Sequence, residues 1–230
     1  RPFGYLEIID DNIIYLAADG NILLIEDDFL KKEIKSNIKS FFNNEIDLSK
    51  NDLFLPYALN PIRDLLYHEG FLYVVILDKE LFDSDVRFST AVLKGKFNYD
   101  YIDFEYFFKP DSYVSEKIDS THTGGRIVVN QQRELYLAVP DYRHPDKVNN
   151  LNNIFGKILK IKSIDSYEII SIGHRNPQGL YYDKENDLLI ESEHGPSAGD
   201  EINLIKFGNN YGWPTTSVGI HGTYVKYHDH

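Results

Sequence analysis

Apolar residues fall along this chain in short runs, and the runs come in pairs. Tyr5-Leu6-Glu7-Ile8-Ile9 is followed by the polar triplet Asp10-Asp11-Asn12 and then by Ile13-Ile14-Tyr15-Leu16. The same figure returns as Leu65-Leu66-Tyr67, His68-Glu69-Gly70 and Phe71-Leu72-Tyr73-Val74-Val75. It returns again as Arg126-Ile127-Val128-Val129 with Leu135-Tyr136-Leu137, and as Leu180-Tyr181-Tyr182 with Leu188-Leu189-Ile190. Short runs rich in β-branched and aromatic residues, separated by turn formers, read as hairpins. Their second strands centre near Tyr15, Tyr73, Tyr136 and Leu189, at spacings of 58, 63 and 53 residues. Such recurrence marks an array of one supersecondary unit.

Further strands follow each hairpin. They are Ile22–Ile25 after the first, Thr90–Leu93 and Phe104–Phe107 after the second, Lys157–Ile161 and Tyr167–Ile170 after the third, and Glu201–Ile205 after the fourth. Three or four strands per repeat is the anatomy of a propeller blade. In Phe29–Phe42, Leu30, Ile34, Ile38 and Phe41 have helical spacing, which predicts a short helix there. No linker rich in Pro, Gly or Ser divides the chain, so residues 1–230 read as one all-β domain.

Composition narrows the function classes. The chain has 230 residues, of which 42% are hydrophobic, 14% aromatic and 26% charged. Those proportions are those of a globular fold with a full core. A formal charge of −12 argues against nucleic acid, whose phosphates need a basic face, and suits cation binding. Zero Cys excludes disulfides, thiolate catalysis and Cys-ligated metal. No apolar run approaches a membrane span, and no N-terminal segment reads as a signal peptide. Zero Met predicts a chain that begins after processing or belongs to a longer one.

Three polar clusters carry the candidate chemistry, and each is expected between strands, where loops on a rigid scaffold hold binding residues. The first is Ser120-Thr121-His122-Thr123-Gly124-Gly125-Arg126. An imidazole titrates nearest neutrality and suits proton abstraction, and Asp141, at the end of the partner strand, is placed to orient it. A loop histidine without a chemical role has the same local sequence. The second cluster is Gly173-His174-Arg175-Asn176-Pro177-Gln178-Gly179. Guanidinium and amide side by side fit a planar ligand bearing carboxylates, although an Arg paired with a surface acid reads alike. The third runs from Glu193-His194-Gly195-Pro196 through Asp200-Glu201-Ile202-Asn203 to Gly208-Asn209-Asn210-Tyr211-Gly212-Trp213-Pro214. Turn carbonyls with carboxylates suit calcium, without the acid spacing of an EF-hand; a solvated acidic turn is the plain alternative. His228-Asp229-His230 at the end carries no assignment.

Together these clusters resemble the glucose/sorbosone dehydrogenase family of soluble quinoproteins. The resemblance rests on Gly173–Leu180, on Glu193–Pro196 with Gly199–Ile205, on Asn210–Pro214, on His122–Arg126, and on Asn152-Asn153 before Gly156–Ile161. It is specific from about Ser120 to Pro214 and is only a strand rhythm before Pro110. It implies a six-bladed β-propeller with about four blades in this chain, since six at this period need roughly 300 residues or more. It also implies pyrroloquinoline quinone (PQQ) and calcium, a sugar substrate, an external electron acceptor, and a periplasmic or secreted location. His122 would take the proton of the sugar's anomeric hydroxyl, with Asp141 orienting it. Arg175 and Asn176 would contact the quinone, and the Gly195 and Pro196 carbonyls would hold its calcium. Glu201 and Tyr211 match positions that hold a structural calcium. Two features depart from the pattern. Asn60-Pro61-Ile62-Arg63-Asp64 lacks the family's cofactor-contacting Gln, and Pro140-Asp141 stands where Gly-Asp is usual. They keep a second reading in view, a non-catalytic, calcium-stabilised propeller that binds a glycan or protein.

Overall fold

The structure, a computed structural model, describes residues 4–26, 30–42, 61–83, 85–115, 122–197 and 199–217. Asn60, Phe29, the pair Ser120-Thr121 and the terminal His228-Asp229-His230 lie outside them. The described chain is almost entirely β and forms four sheets of the propeller-blade type, each seeded by one of the four hairpins. It falls into two compact units, Arg1–Thr121 with Lys162–Ser166, and His122–Ile161 with Tyr167–His230.

The first unit begins with a four-strand meander: β1 (Gly4–Ile9), β2 (Asn12–Ala17), β3 (Ile22–Ile25) and β4 (Lys31–Ser36). The second sheet is built on β5 (Ile62–His68), β6 (Phe71–Phe82) and β7 (Asp85–Lys96). β8 (Tyr101–Ile102) adds in parallel to the free edge of β4. β9 (Phe104–Phe108) pairs with one half of β7 and β10 (Val114–Ser115) with the other. Alternation along these strands sends Ile14, Leu16, Leu24, Ile34, Val74, Ile76, Leu93 and Phe104 into one shared core.

The helix expected over Phe29–Phe42 is absent among the described residues of that stretch. Lys31–Ser36 is β4, paired with β3 from Ile22↔Ile34 to Ile25↔Lys31, and only Ile38–Phe41 turns, as a single 3₁₀ segment. Ile34 and Ile38 are both buried, one from the strand and one from the turn after it. Two core-seeking residues four apart mimic a helical stripe. The open edge of β3 and exposed Lys31, Lys32 and Glu33 favour the strand.

The second unit carries the candidate site. β11 (Arg126–Val129), β12 (Leu135–Val139), β13 (Lys157–Ser163) and β14 (Ser166–Ile172) form one sheet; β15 (Pro177–Asp183), β16 (Leu188–Glu193) and β17 (Glu201–Ile205) form the next. Ala138, Ile158, Ile170, Tyr182, Leu189 and Ile205 make their common core. β18 (Asn209–Asn210) leaves the second sheet and pairs in parallel with the end of β14. The polar clusters are therefore not confined to loops. Pro177–Gly179 opens β15, Glu193 ends β16 and Glu201 begins β17. Their chemistry sits at strand ends, where the backbone is fixed by pairing.

The β12–β13 connection carries one helical turn, Pro145–Val148, and is folded around a cation of its own. Fully buried Lys157 donates from Nζ to the carbonyls of Phe155 at 2.7 Å and Val148 at 3.1 Å, and to Asn153 Oδ1 at 3.2 Å. Burial disfavours the charged form and pushes this ammonium's pKa down to about 8.

Candidate active site

His122 is buried just ahead of β11, and its Nδ1 lies 2.9 Å from Asp141 Oδ1. Asp141, two residues past the end of β12, has no exposed surface. Three donors converge on it. His122 and the Arg143 backbone N–H, at 2.9 Å each, share Oδ1, and Trp213 Nε1–H reaches Oδ2 at 2.8 Å. Because a carboxylate only accepts, Nδ1 of His122 carries the proton and Nε2 presents its lone pair. That Nε2 is buried and has no hydrogen-bond partner among the described residues. An imidazole held in one tautomer, with an unused basic nitrogen, can accept a proton.

The second cluster packs directly against the first. Gly124 N–H donates to Asn176 Oδ1 at 3.2 Å. A Cβ at position 124 would stand 1.9 Å from the Pro177 carbonyl oxygen. Only glycine lets the two backbones meet there. Asp141 N–H donates to the Arg175 carbonyl at 2.9 Å. Glu193 pins the same turn, its Oε2 accepting the N–H groups of Arg175 at 2.5 Å and Asn176 at 3.2 Å.

Arg175 joins this turn to the third cluster. Its Nη1 donates to the carbonyls of His194 and Gly195, 2.8 Å each, and its guanidinium carbon stands 5.2 Å from the Trp213 ring centroid. Trp213 is placed by the register of β18. Tyr211 N–H donates to the Ile172 carbonyl at 2.9 Å and Trp213 N–H to the Gly173 carbonyl at 3.1 Å. Gly173, at φ +83°, would as alanine drive a Cβ to 2.2 Å from Asn210 Oδ1.

Gly195, Pro196, Glu201 and Tyr211 line one small cleft, whose wall includes Arg175, Glu193 and Trp213. The four residues expected from sequence as calcium positions are thus brought together. The donor set fits a calcium ion in kind. Gly195 O accepts from the Arg175 guanidinium, and two glutamates, Glu193 and Glu201, face the same space. The Tyr211 hydroxyl is committed elsewhere, accepting from Lys206 N–H at 2.9 Å and donating to the Leu204 carbonyl at 2.5 Å. On the proton-transfer side, the orphaned His122 Nε2 and the Arg175 cation fit a polar oxidant that carries negative charge.

Four participants have no role in the sequence reading. Trp213 is one, since no local signal foretells its bond to a carboxylate 72 residues away. The others are His174, Glu191 and Glu193. The glutamates do carry a signal. Leu189, Glu191 and Glu193 alternate on the buried face of β16, so two carboxylates occupy core positions. Burial first, and then the neighbouring Glu193 charge, push the Glu191 carboxyl up to about 9. Both causes disfavour the ionised form.

Blade-type sheets bring an oriented imidazole, a guanidinium and a cleft lined by carbonyl and carboxylate oxygens to one candidate site on a propeller-class scaffold. The chain belongs to the Glucose / Sorbosone dehydrogenase family, whose profile matches residues 2–230. It is 34% identical over 113 residues to the aldose sugar dehydrogenase YliI of Escherichia coli (strain K12), covering 43% of this chain and 30% of that protein. It is 32% identical over 127 residues to quinoprotein glucose dehydrogenase B of Acinetobacter calcoaceticus, covering 42% of this chain and 26% of that protein. Its fold is shared with the PQQ-bound form of an aldose sugar dehydrogenase from Streptomyces coelicolor. There the TM-score is 0.63 at 20% identity, over 94% of this chain and 63% of that one. The matches to the two curated relatives therefore cover under a third of each relative's length. Among the described residues no helix is long and apolar enough to cross a membrane.

Proposed function

We propose that this protein oxidises an aldose sugar at its anomeric carbon, with PQQ and calcium as cofactors and an external electron acceptor. The observation that carries the proposal is the buried His122–Asp141 pair, with Nε2 of His122 left without a partner among the described residues. In this reading the lone pair of Nε2 receives the proton of the anomeric hydroxyl. Asp141 holds the ring in its tautomer and stabilises the imidazolium that results. Arg175 and Asn176 hold the quinone's polar edge. The carbonyls of Gly195 and Pro196 would hold the calcium that serves the quinone, and Glu201 with Tyr211 would hold a structural calcium. When bound, the quinone supplies the two-electron acceptor and the metal supplies Lewis acidity. Around them the chain positions the sugar, keeps water from the base and moves one proton. A periplasmic or secreted location accompanies this reading through the family resemblance.

The test is reconstitution with calcium and PQQ, followed by dye reduction with a panel of aldoses. His122→Ala should lower turnover roughly 10²–10⁴-fold, the range for loss of a general base, while quinone uptake persists. Full turnover in that variant would remove the base assignment. Absence of both quinone uptake and turnover in the wild-type protein would sink the reading as a whole.

A further inference from the structure

Behind the turn that carries Arg175, three buried side chains turn metal-binding atoms toward one point. His174 and Glu191 have no exposed surface, and Glu193 is 6% exposed. His174 Nδ1 lies 3.8 Å from Glu191 Oε2 and 3.7 Å from Glu193 Oε1, and the three ligand atoms all fall within 4.8 Å of one another. His174 Nδ1 and Glu191 Oε1 are buried without hydrogen-bond partners among the described residues. We propose that His174, Glu191 and Glu193 form a site for one divalent transition-metal ion of the zinc class, next to the calcium positions at Gly195, Pro196, Glu201 and Tyr211, whose cavity Glu193 also lines.

The spacing distinguishes a metal from a shared proton. A proton between imidazole and carboxylate draws the heavy atoms to about 2.7–2.9 Å. An ion with bonds of about 2.0–2.2 Å holds its ligand atoms roughly 3.4 Å apart in a tetrahedral set. The two gaps from His174 are too wide for a hydrogen bond, and a metal would need to contract them by only a few tenths of an ångström, while the carboxylates, within 4.8 Å of each other, would close by a side-chain rotation. The surroundings are those of ligands held from behind. His174 Nε2 is engaged at 2.8 Å by Ser171 Oγ, which leaves Nδ1 to face the carboxylates. Asn203 Nδ2 steadies Glu191 Oε2 at 3.1 Å, and the N–H groups of Arg175 and Asn176 hold Glu193 Oε2. Tyr211 stacks on the His174 ring at 4.8 Å between centroids.

Calcium is the wrong occupant. It takes six to eight oxygens in a flexible shell, whereas this site offers one nitrogen and two carboxylates in a closed space. Imidazole with carboxylate suits zinc and its neighbours. The proposal does not depend on the quinone reading, and its test needs no turnover.

The experiment is calorimetric titration of tag-free, chelator-stripped protein with Zn²⁺ in millimolar calcium, with Co²⁺ absorbance as a second readout. Wild-type protein should bind one equivalent at this site, and calcium should not displace it. His174→Gln and Glu191→Gln should each weaken binding by roughly 100-fold or more, and Ser171→Ala by about 10-fold. His122→Gln should leave it unchanged, which separates this site from the His122–Asp141 pair. Failure of wild-type protein to take up Zn²⁺ or Co²⁺ overturns the proposal, whether or not the variants fold. So does displacement by calcium, or loss of the same equivalent in His122→Gln.

Discussion

At the scale of single residues, the site turns on how many donors Asp141 receives. It accepts from His122, from the Arg143 backbone and from Trp213, and no water-exposed surface offers a substitute. Trp213→Phe keeps a ring against Arg175 but removes the N–H from a buried carboxylate. Denaturant unfolding should report a loss of about 1–3 kcal/mol, the cost of leaving a buried acceptor short. The same variant should shift the pH profile of turnover, because Asp141 then holds His122 with one constraint fewer. An unaltered profile with the stability loss would leave Trp213 a purely structural role. The His122–Asp141 pair is legible in the sequence because Asp141 follows the strand that partners the one after His122, a local relation. Trp213 is not, since its reach to Asp141 depends on β18 crossing back to β14. Glu191 is legible only to a reading that carries the β16 alternation past its last apolar positions.

At the scale of elements, strands bounded by turn formers can be read to the residue. Arg126–Val129, Ile22–Ile25 and Glu201–Ile205 stand in the structure as they stand in the sequence. β4 escapes such a reading because its partner β3, not its own pattern, makes it a strand. Pro177–Gly179 has the composition of a loop, a proline and a glycine two residues apart. β15 absorbs both through a register shift between Pro177 and Gly179, as a bulge does. The element on which the site most depends is the short parallel pairing of β18 with β14, which seats Tyr211 and Trp213. Gly173 is its hinge. Gly173→Ala forces a side chain into a positive-φ position and into Asn210. That strain should cost about 1–3 kcal/mol. Hydrogen exchange should localise the damage, with the Tyr211 and Trp213 amides losing protection before those of β12 and β13.

At the scale of the whole molecule, buried charge gives stability a pH dependence whose sign is fixed. The Glu191 carboxyl is raised from 4.5 to about 9, so folded protein keeps a proton that the unfolded chain releases. Its contribution is complete below the unfolded value of 4.5 and is lost as pH rises toward about 9. Glu7, raised to about 7 chiefly by burial, acts in the same direction. Lys157, lowered to about 8, acts in the opposite direction and only above that pH. Metal-free protein should therefore melt at progressively lower temperature between about pH 5 and pH 8. Glu191→Gln should flatten that slope, and a slope unchanged by the variant would contradict the assignment. Lys157 has one more effect. The cation that organises the β12–β13 connection is bonded to the backbone and cannot be dialysed away. Its loop is tied to the segment before Asp141, Gly156 N–H donating to the Pro140 carbonyl at 3.2 Å. Chelation should then divide the unit's behaviour. With calcium held as proposed, exchange at the Gly156 amide should be indifferent to EDTA while the turn around Gly195 loosens, so the frame behind Asp141 would outlast the loss of the metal.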